Sequence, residues 1–230
     1  MRKILNKLFY KFHYRIERIP LFSILLDRLE HTHGKPKFIQ VGANDGVRFD
    51  GLYQYVTERS CQGIVIEPLP DIFENLKRNY QDYRGVTPIN IAIHPILTEA
   101  TIYRVDPTMV SDLAPWVSGI ASFNRHHLEK SGVPSHSIIS ESVPCTPLMP
   151  LIEKYDMLDA TLLQIDTEGF DAEIIDMIDF NRFKPKLIKY EHKHLGEHKA
   201  VSTQMALRQH GYITVSEGGD TLAYSTDLRR

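Results

Sequence analysis

The chain has 230 residues, of which 42% are hydrophobic and 24% charged, which is enough for one well-filled α/β domain. Its formal net charge of -2 argues against a nucleic-acid partner, because phosphate binding needs Lys and Arg clustered on a basic face. Cys61 and Cys145 lie far apart in the sequence, which argues against a disulfide framework and fits a reducing, cytoplasmic location.

The first 19 residues differ from this near-neutral average, because six of them are Lys or Arg and one is Glu. Apolar residues recur there at helical spacing and cluster again at residues 21–29, which predicts two short helices separated near Pro20. No apolar run is long enough to span a bilayer, and no signal-peptide pattern follows. Residues 1–34 are therefore interpreted as an amphipathic helical extension. It either packs on the domain or makes a peripheral contact with anionic lipid on the inner face of the membrane.

From residue 35 onward, short apolar runs alternate with helical patterns. Strands are predicted at Phe38–Val41, Gly63–Ile66, Val86–Ile93, Leu162–Ile165 and Leu187–Tyr190, and helices at Gly51–Glu58, Pro70–Asn79, Ala172–Phe180 and Val201–His210. A Gly-Gly turn then joins two strand-like runs within residues 211–224. This alternation predicts an α/β fold, in which helices cover both faces of a mostly parallel sheet with an antiparallel edge.

The segment FIQVGANDG, residues 38–46, leads from an apolar strand into a turn with two glycines. In a doubly wound sheet this first strand-to-helix turn lies close to the ligand. Gly42 and Gly46 allow a close backbone approach, and Asn44 and Asp45 offer polar side chains to an amino-acid-like group. The spacing is not that of a dinucleotide motif, and Asp45 would repel a pyrophosphate, so a ligand with a cationic centre is favoured over NAD.

Glu67 ends the second predicted strand, 21 residues after Gly46, where an acidic side chain reaches ribose hydroxyls. Together the turn and this carboxylate indicate a nucleoside site. S-adenosylmethionine meets these demands with its sulfonium, ammonium and ribose groups. Asn90 and Ala92 close the third predicted strand, where they either read an adenine edge or cap the strand.

Carboxylates and a histidine follow the fourth and fifth predicted strands. LLQIDTEGF contains Asp166 and Glu168, and LIKYEHKH contains Glu191 and His192. These side chains are predicted to converge beside the transferable methyl group, where they position an acceptor hydroxyl, remove its proton or hold Mg²⁺. Asp166 is the leading candidate for the base, before Glu168 and His192, and Asp166 and Glu191 are the candidate Mg²⁺ ligands.

The stretch from Val105 to Val143 is predicted to be a substrate-recognition insertion, because its aromatic and polar residues are typical of carbohydrate-binding surfaces. A loop packed on the sheet edge is the alternative. The substrate-binding candidates are Trp116, Ser122, Arg125, His126 and, from the fifth strand, Glu191.

Other histidines are weaker candidates for a general base or for metal ligands. His126 and His127 offer a base near neutral pH, although adjacent loop histidines are more often exposed. His194 and His198 have the spacing of a metal-binding pair, but without a third ligand at a defined spacing zinc is not predicted.

Four segments resemble the FkbM-type, S-adenosylmethionine-dependent methyltransferases: VGANDG, VIEPLPDIFENLKRN, GIASF, and LLQIDTEGFDAEII followed by LIKYEH. The resemblance implies a Rossmann-like class I methyltransferase domain at residues 35–230, with a mostly parallel seven-stranded sheet and a C-terminal antiparallel hairpin. It also implies O-methylation of a sugar, a glycan or a related small metabolite. The implied cofactor-binding residues are Gly42, Asn44, Asp45, Gly46 and Glu67, and the adjoining Ala43 and Pro68 are further candidates. Asp166 and Glu168 match the D-x-E-G motif beside the methyl acceptor, whereas VPCTPL at residues 143–148 departs from the family pattern.

Two other classes of protein share the predicted sheet. An NAD(P)-dependent oxidoreductase would also use Glu67, and a non-catalytic adapter would keep the sheet and bind no nucleoside. The sequence leaves the acceptor, the metal dependence and the oligomeric state open.

Overall fold

The computed structural model describes residues 19–48, 50–114, 117 and 119–229, apart from the side chain of Asp112. The basic stretch at residues 1–18 and Trp116 lie outside the described residues. The predicted N-terminal helix and the predicted substrate contact of Trp116 therefore stay predictions.

Seven strands form the central sheet, in the spatial order β10-β11-β9-β8-β1-β2-β3. They are β1 (Lys37–Val41), β2 (Gln62–Ile66), β3 (Val86–Ile89), β8 (Leu162–Ile165), β9 (Leu187–Glu191), β10 (Tyr212–Glu217) and β11 (Asp220–Ser225). Neighbouring strands from β9 to β3 are parallel, whereas β11 is antiparallel to both β9 and β10. The predicted parallel sheet with a C-terminal antiparallel hairpin is confirmed.

Helices cover both faces of this sheet, because alternate residues of each strand point to opposite sides. On one face lie α1 (Leu21–His33), α2 (Tyr53–Glu58) and α3 (Pro70–Asn79), and on the other α5 (Leu148–Lys154), α6 (Asp171–Asp176) and α7 (Glu197–Gln209). Phe38 and Leu162 belong to the first core, whereas their chain neighbours Ile39 and Leu163 belong to the second. The two cores hold the strand ends, and hence the site, in place.

Helix α1 packs against the first of these cores. Its buried residues Phe22, Leu25, Leu26 and Leu29 lie on one side at helical spacing. The carboxylate of Glu217, from β10, accepts hydrogen bonds from the first two backbone N–H groups of the helix, at 2.8 and 3.1 Å. This second part of the N-terminal extension therefore packs on the domain. Among the helices of the described residues, none has the length and apolar composition needed to cross a bilayer.

The predicted insertion contributes to a second, smaller sheet beside the first. Its strands are β4 (Ala92–Ile93), β5 (Glu99–Val105), β6 (Ala121–Ser122) and β7 (Ile138–Thr146), and α4 (Arg125–Lys130) lies between β6 and β7. The stretch 143–146, which departs from the family pattern, pairs as the end of β7. Arg104 of β5 is 8% exposed and binds the carboxylate of Asp71 in α3. This ion pair joins the second sheet to the main domain.

The prediction of one strand over Val86–Ile93 is wrong, because this stretch forms β3 in the central sheet and β4 in the second sheet. The side-chain amide of Asn90 lies between them and donates to the carbonyls of Glu67 and Pro68, both at 2.9 Å. These bonds draw the chain across the strand ends, so the ladder with β2 stops at Ile89.

Candidate active site

A cavity of about 940 Å³ lies at the carboxyl ends of β1, β2, β8 and β9. A volume of this size is within the range that holds small-molecule ligands and cofactors. Of the residues predicted for the site, those that line it are Gly42, Ala43, Asn44, Glu67, Pro68, Ala92, Ser122, Asp166, Glu168 and Glu191. One cavity therefore brings together most of the predicted cofactor and catalytic residues.

The turn after β1 is built tightly against its neighbours. Gly42 has φ of +77°, and a Cβ added there would lie 1.8 Å from the carbonyl oxygen of Asp166, so only glycine fits. The backbone N–H groups of Gly42 and Ala43 both donate to the carbonyl of Ile66, at 3.0 and 2.9 Å. The turns after β1, β2 and β8 are consequently held together where the cofactor is expected.

Glu67 is the buried carboxylate of this cavity. Its two oxygens accept hydrogen bonds from the backbone N–H groups of Asn44, at 3.0 Å, and Leu69, at 2.9 Å. Burial raises the pKa of Glu67 to about 7, against the opposing effect of these two bonds. Each carboxylate oxygen keeps further acceptor capacity, as the binding of ribose hydroxyls requires.

The two residues predicted to lie near the adenine, Ala92 and Asn90, have different positions in the structure. Ala92 lines the cavity among apolar side chains that include Leu69, Ile72, Ile102 and Phe123. Asn90 lies outside the lining, and its amide instead binds the backbone carbonyls that follow β2. These side chains make this part of the lining apolar, whereas Asn90 affects it only through the backbone.

Three carboxylates line the side of the cavity near β8 and β9. Asp166 keeps contact with water through the cavity while protein encloses its other sides. This enclosure and the negative charges of Asp171 and Glu168 raise its pKa. Burial and the nearby charge of Asp166 raise the pKa of Glu191 to about 8. Glu168 has φ of +53°, a conformation that L-residues rarely adopt, and its carbonyl accepts a hydrogen bond from Ser122 Oγ at 2.9 Å.

Two histidines, His127 and His194, lie close to these carboxylates. His127 Nε2 lies 3.0 Å from Glu168 Oε2, and His194 Nε2 lies 3.4 Å from the same oxygen and 3.6 Å from Glu191 Oε2. The two imidazole rings are 4.4 Å apart and nearly perpendicular. Burial and the neighbouring His127 lower the pKa of His194, against the attraction of Glu168. A histidine pair thus completes the acidic side of the cavity.

Several predicted site residues lie outside the cavity lining. Arg125 and His126 both pair with Glu129, and His126 is 62% exposed. His192 Nδ1 lies 3.0 Å from Thr221 Oγ1 on the neighbouring strand. The structure does not bring these three side chains into the cavity lining, which contains His127 and His194 instead.

Two members of the predicted glycine turn have structural contacts instead of a place in the lining. The carboxylate of Asp45 accepts hydrogen bonds from the backbone N–H groups of Val47 and Arg48 and pairs with the Arg48 guanidinium at 2.6 Å. A Cβ on Gly46 would meet Leu76 and Tyr80 at 2.7 Å. Asp45 caps the turn, and Gly46 makes room for packing against α3.

Three polar side chains at the floor of the cavity were not predicted from the sequence. Gln40 of β1 and Gln164 of β8 are 2% and 5% exposed, and Gln164 Nε2 lies 3.4 Å from Asp50 Oδ1. Among the described residues, Gln40 Oε1, Gln164 Oε1 and Asp50 Oδ2 are buried without a hydrogen-bond partner. Three unsatisfied acceptors at one place suit a ligand that donates several hydrogen bonds, such as an ammonium group. A glutamine at the second-last position of both strands was the signal available in the sequence.

A family model described as the Methyltransferase FkbM domain matches residues 40–214, which contain every lining residue named above. The chain belongs to this family. It is therefore an S-adenosylmethionine-dependent methyltransferase, which decides against the NAD(P)-dependent oxidoreductase. No curated protein matches the chain.

Solved structures share the fold at low sequence identity. Methyltransferase FkbM from Methylobacillus flagellatus KT has a TM-score of 0.50 and 14% identity, over 83% of this chain and 43% of that chain. A METTL16 methyltransferase domain has a TM-score of 0.50 and 13% identity, over 95% of this chain and 76% of that chain. These likenesses establish the Rossmann-like class I methyltransferase fold.

Proposed function

We propose that this methyltransferase transfers the methyl group of S-adenosylmethionine to a hydroxyl of a sugar, a glycan or a related metabolite. The observation that carries the proposal is that Glu67 and Asp166 line one cavity. Glu67 marks where a ribose binds, and Asp166 offers a proton acceptor at the other side. A cofactor and an acceptor hydroxyl can therefore meet in one enclosed space.

Three regions of the cavity match three parts of the cofactor. The apolar part of the lining around Ala92 and Ile72 suits the adenine, and the carboxylate of Glu67 suits the ribose hydroxyls. The unpartnered oxygens of Gln40, Gln164 and Asp50 suit the ammonium of the methionine part. This arrangement supports Gly42, Ala43, Asn44, Glu67, Pro68 and Ala92 as cofactor-binding residues.

The acidic side of the cavity supports oxygen as the accepting atom. In the transfer, the acceptor oxygen forms a bond to the methyl carbon while the bond from that carbon to the sulfonium breaks. The hydroxyl proton must leave, and we assign its acceptance to the carboxylate of Asp166. S-adenosylhomocysteine and a methyl ether are the products. Glu168 and Glu191 bind the acceptor or hold it in line.

Aromatic and polar groups at the cavity support a carbohydrate-like acceptor. Phe170 lines the cavity, and its ring stacks on that of His94 at 5.6 Å. Ring faces of this kind pack on the apolar faces of sugars. Lys193, which also lines the cavity, can donate hydrogen bonds to hydroxyl groups, and Ser122 Oγ, whose proton goes to the Glu168 carbonyl, can accept one.

The test is methyl transfer from labelled S-adenosylmethionine to a panel of sugar, nucleoside and amine acceptors. Transfer to a hydroxyl of a saccharide is expected, and Asp166→Asn should lower kcat about 10²- to 10⁴-fold while S-adenosylhomocysteine still raises the melting temperature. Asp82→Asn, at an exposed position, is the control and should keep full turnover. Transfer confined to nitrogen, or unchanged turnover of Asp166→Asn, would overturn the proposal.

A cytoplasmic location is part of the proposal, and the buried free thiols of Cys61 and Cys145 support it. Contact of the basic residues 1–18 with anionic lipid is proposed on their charge alone. Sedimentation with vesicles that contain or lack an anionic lipid tests it, and equal binding to both would reject it.

A further inference from the structure

Two histidines and two carboxylates meet at the acidic side of the cavity. They come from separate parts of the chain: His127 from α4, Glu168 from the turn after β8, Glu191 from the end of β9, and His194 from the loop after β9. Separate parts of the fold therefore bring side chains of metal-ligating type close to one another.

The spacing of the donor atoms suits a single ion. One donor atom from each of His127, Glu168 and His194 can be chosen so that all three lie within 4.8 Å of one another. Two ligand atoms that both lie about 2.1 Å from a metal are about 3.0 Å apart at a right angle and about 3.4 Å apart at the tetrahedral angle. The two histidine nitrogens lie 3.0 and 3.4 Å from Glu168 Oε2, and Glu191 Oε2 lies 3.6 Å from His194 Nε2.

The carboxylates on this side of the cavity also favour the binding of a cation. Asp166, Glu168 and Glu191 bring three carboxylates within 4.8 Å of one another. Glu191 Oε2 is buried and lacks a hydrogen-bond partner among the described residues. Lys193 contributes positive charge toward Glu191, but this oxygen stays unsatisfied. An ion bound by His127, Glu168 and His194 would offset the mutual repulsion of the carboxylates.

We propose that His127, Glu168 and His194 form a binding site for a divalent transition-metal ion, with the carboxylate of Glu191 beside it. Imidazole ligands favour Zn²⁺, Fe²⁺ or Ni²⁺ over Mg²⁺, which prefers a shell of oxygen atoms. The site differs from the Mg²⁺ pair expected from the sequence, because Asp166 is left free as the proton acceptor. Because His127, Glu168 and His194 line the cavity, an ion there would be accessible to the acceptor, whose hydroxyl it would bind and acidify; this last role rests on the proposed function.

The experiment uses the full chain, purified without a polyhistidine tag and stripped of metal by a chelator. Co²⁺ is titrated by visible absorption, and Zn²⁺ is then added in competition. One Co²⁺ per chain is expected, with the intense visible bands of a four- or five-coordinate site, displaced by Zn²⁺ and not by millimolar Mg²⁺. His127→Gln and His194→Gln should each weaken binding at least about tenfold.

The matched control is His126→Gln, because His126 adjoins His127 in the sequence but pairs with Glu129 outside the cavity. This variant should bind Co²⁺ as the unaltered protein does. The proposal is overturned by no binding, or by equal binding in the His127→Gln/His194→Gln double variant. A melting-temperature shift with S-adenosylhomocysteine in every variant shows that the fold and cofactor site are intact. Loss of that shift in the unaltered chain would count against the proposed function, not against the metal site.

Discussion

The backbone N–H of Asn44 donates a hydrogen bond to the carboxylate of Glu67, 3.0 Å away, and so joins the turns that follow β1 and β2. Leu69 N–H holds the second oxygen of the same carboxylate at 2.9 Å. These two bonds fix the orientation of the carboxylate toward the ribose that we propose it binds. Pre-oriented groups lose less entropy on binding, which strengthens binding at a given contact area.

Cofactor binding should depend on pH through Glu67, whose pKa burial raises to about 7. At pH 6 most of the free protein carries this group protonated, and binding of the ribose to the carboxylate then releases the proton. Affinity for S-adenosylhomocysteine is expected to rise about tenfold from pH 6 to pH 8. Calorimetry at pH 6 in two buffers of different ionisation enthalpy measures the proton release directly. Constant affinity without proton release would contradict this assignment, and Glu67→Gln should bind more weakly and without the release.

Gly42 should not tolerate a side chain. Its Cβ would lie 1.8 Å from a backbone oxygen of Asp166, which no rotamer change can relieve, and its φ of +77° disfavours any L-residue. Gly42→Ala is expected to lower the free energy of unfolding by about 3 kcal/mol and to abolish the stabilisation by S-adenosylhomocysteine. Gly51→Ala is the control, since nothing lies within 4 Å of its Cβ position. Denaturant unfolding compares the two, and equal stability would refute the tight contact between the turns.

The sequence predicts the parts of the fold that depend on local patterns. Apolar runs separated by glycine turns locate β1, β2 and β8 to within a residue or two, and the Gly-Gly turn locates the final hairpin. The split of Val86–Ile93 was missed because it depends on the bonds of Asn90 to a turn 22 and 23 residues earlier. The second sheet was missed for the same reason, since β5 and β7 pair over a long stretch of chain.

The candidate site shows a similar limit. Glu67, Asp166, Glu168 and Glu191 follow strands, and the carboxyl ends of parallel strands meet at one edge, so their approach could be predicted. The sequence could not show that His127 and His194 line the cavity and that His126 and His192 do not. The direction of a side chain in α4 or in a loop depends on packing against distant residues.

The ion pair between Arg104 and Asp71 should stabilise the folded protein by a measurable amount. Arg104 is 8% exposed, and removing the charge of its partner leaves a buried guanidinium with a weaker acceptor. Asp71→Asn is expected to cost about 1–3 kcal/mol, less than a fully buried pair, because Asp71 is half exposed and Glu141 also contacts Arg104. Glu74→Gln on the same helix breaks an exposed pair with Lys77 and should cost less than about 0.5 kcal/mol. Equal losses of unfolding free energy in the two variants would show that the buried pair stabilises the protein no more than the exposed one.

Helix α1 should behave as part of the core. Leu29 is fully buried against residues of the central sheet, so Leu29→Ala is expected to lower the free energy of unfolding by about 2–4 kcal/mol. Met205 in α7 is 54% exposed, and Met205→Ala should change stability by less than about 0.5 kcal/mol. Guanidinium unfolding followed by circular dichroism gives both values. A Leu29→Ala loss as small as the control would mean that α1 only rests on the surface.

Ser122 should affect turnover more than cofactor binding. Its hydroxyl donates to the carbonyl of Glu168, a residue held at φ of +53°, and so stabilises the conformation that presents the Glu168 carboxylate to the cavity. Ser122→Ala removes one hydrogen bond worth about 1 kcal/mol, which corresponds to about a fivefold loss of kcat if the geometry of Glu168 matters to the transition state. Affinity for S-adenosylhomocysteine should stay unchanged, because Glu67 and the β1 turn are untouched. Ser202→Ala, at an exposed position of α7, is the control and should leave both quantities unchanged. Unaltered kcat in Ser122→Ala would show that the contact merely closes the loop, and a parallel loss of affinity would indicate general disruption of the cavity.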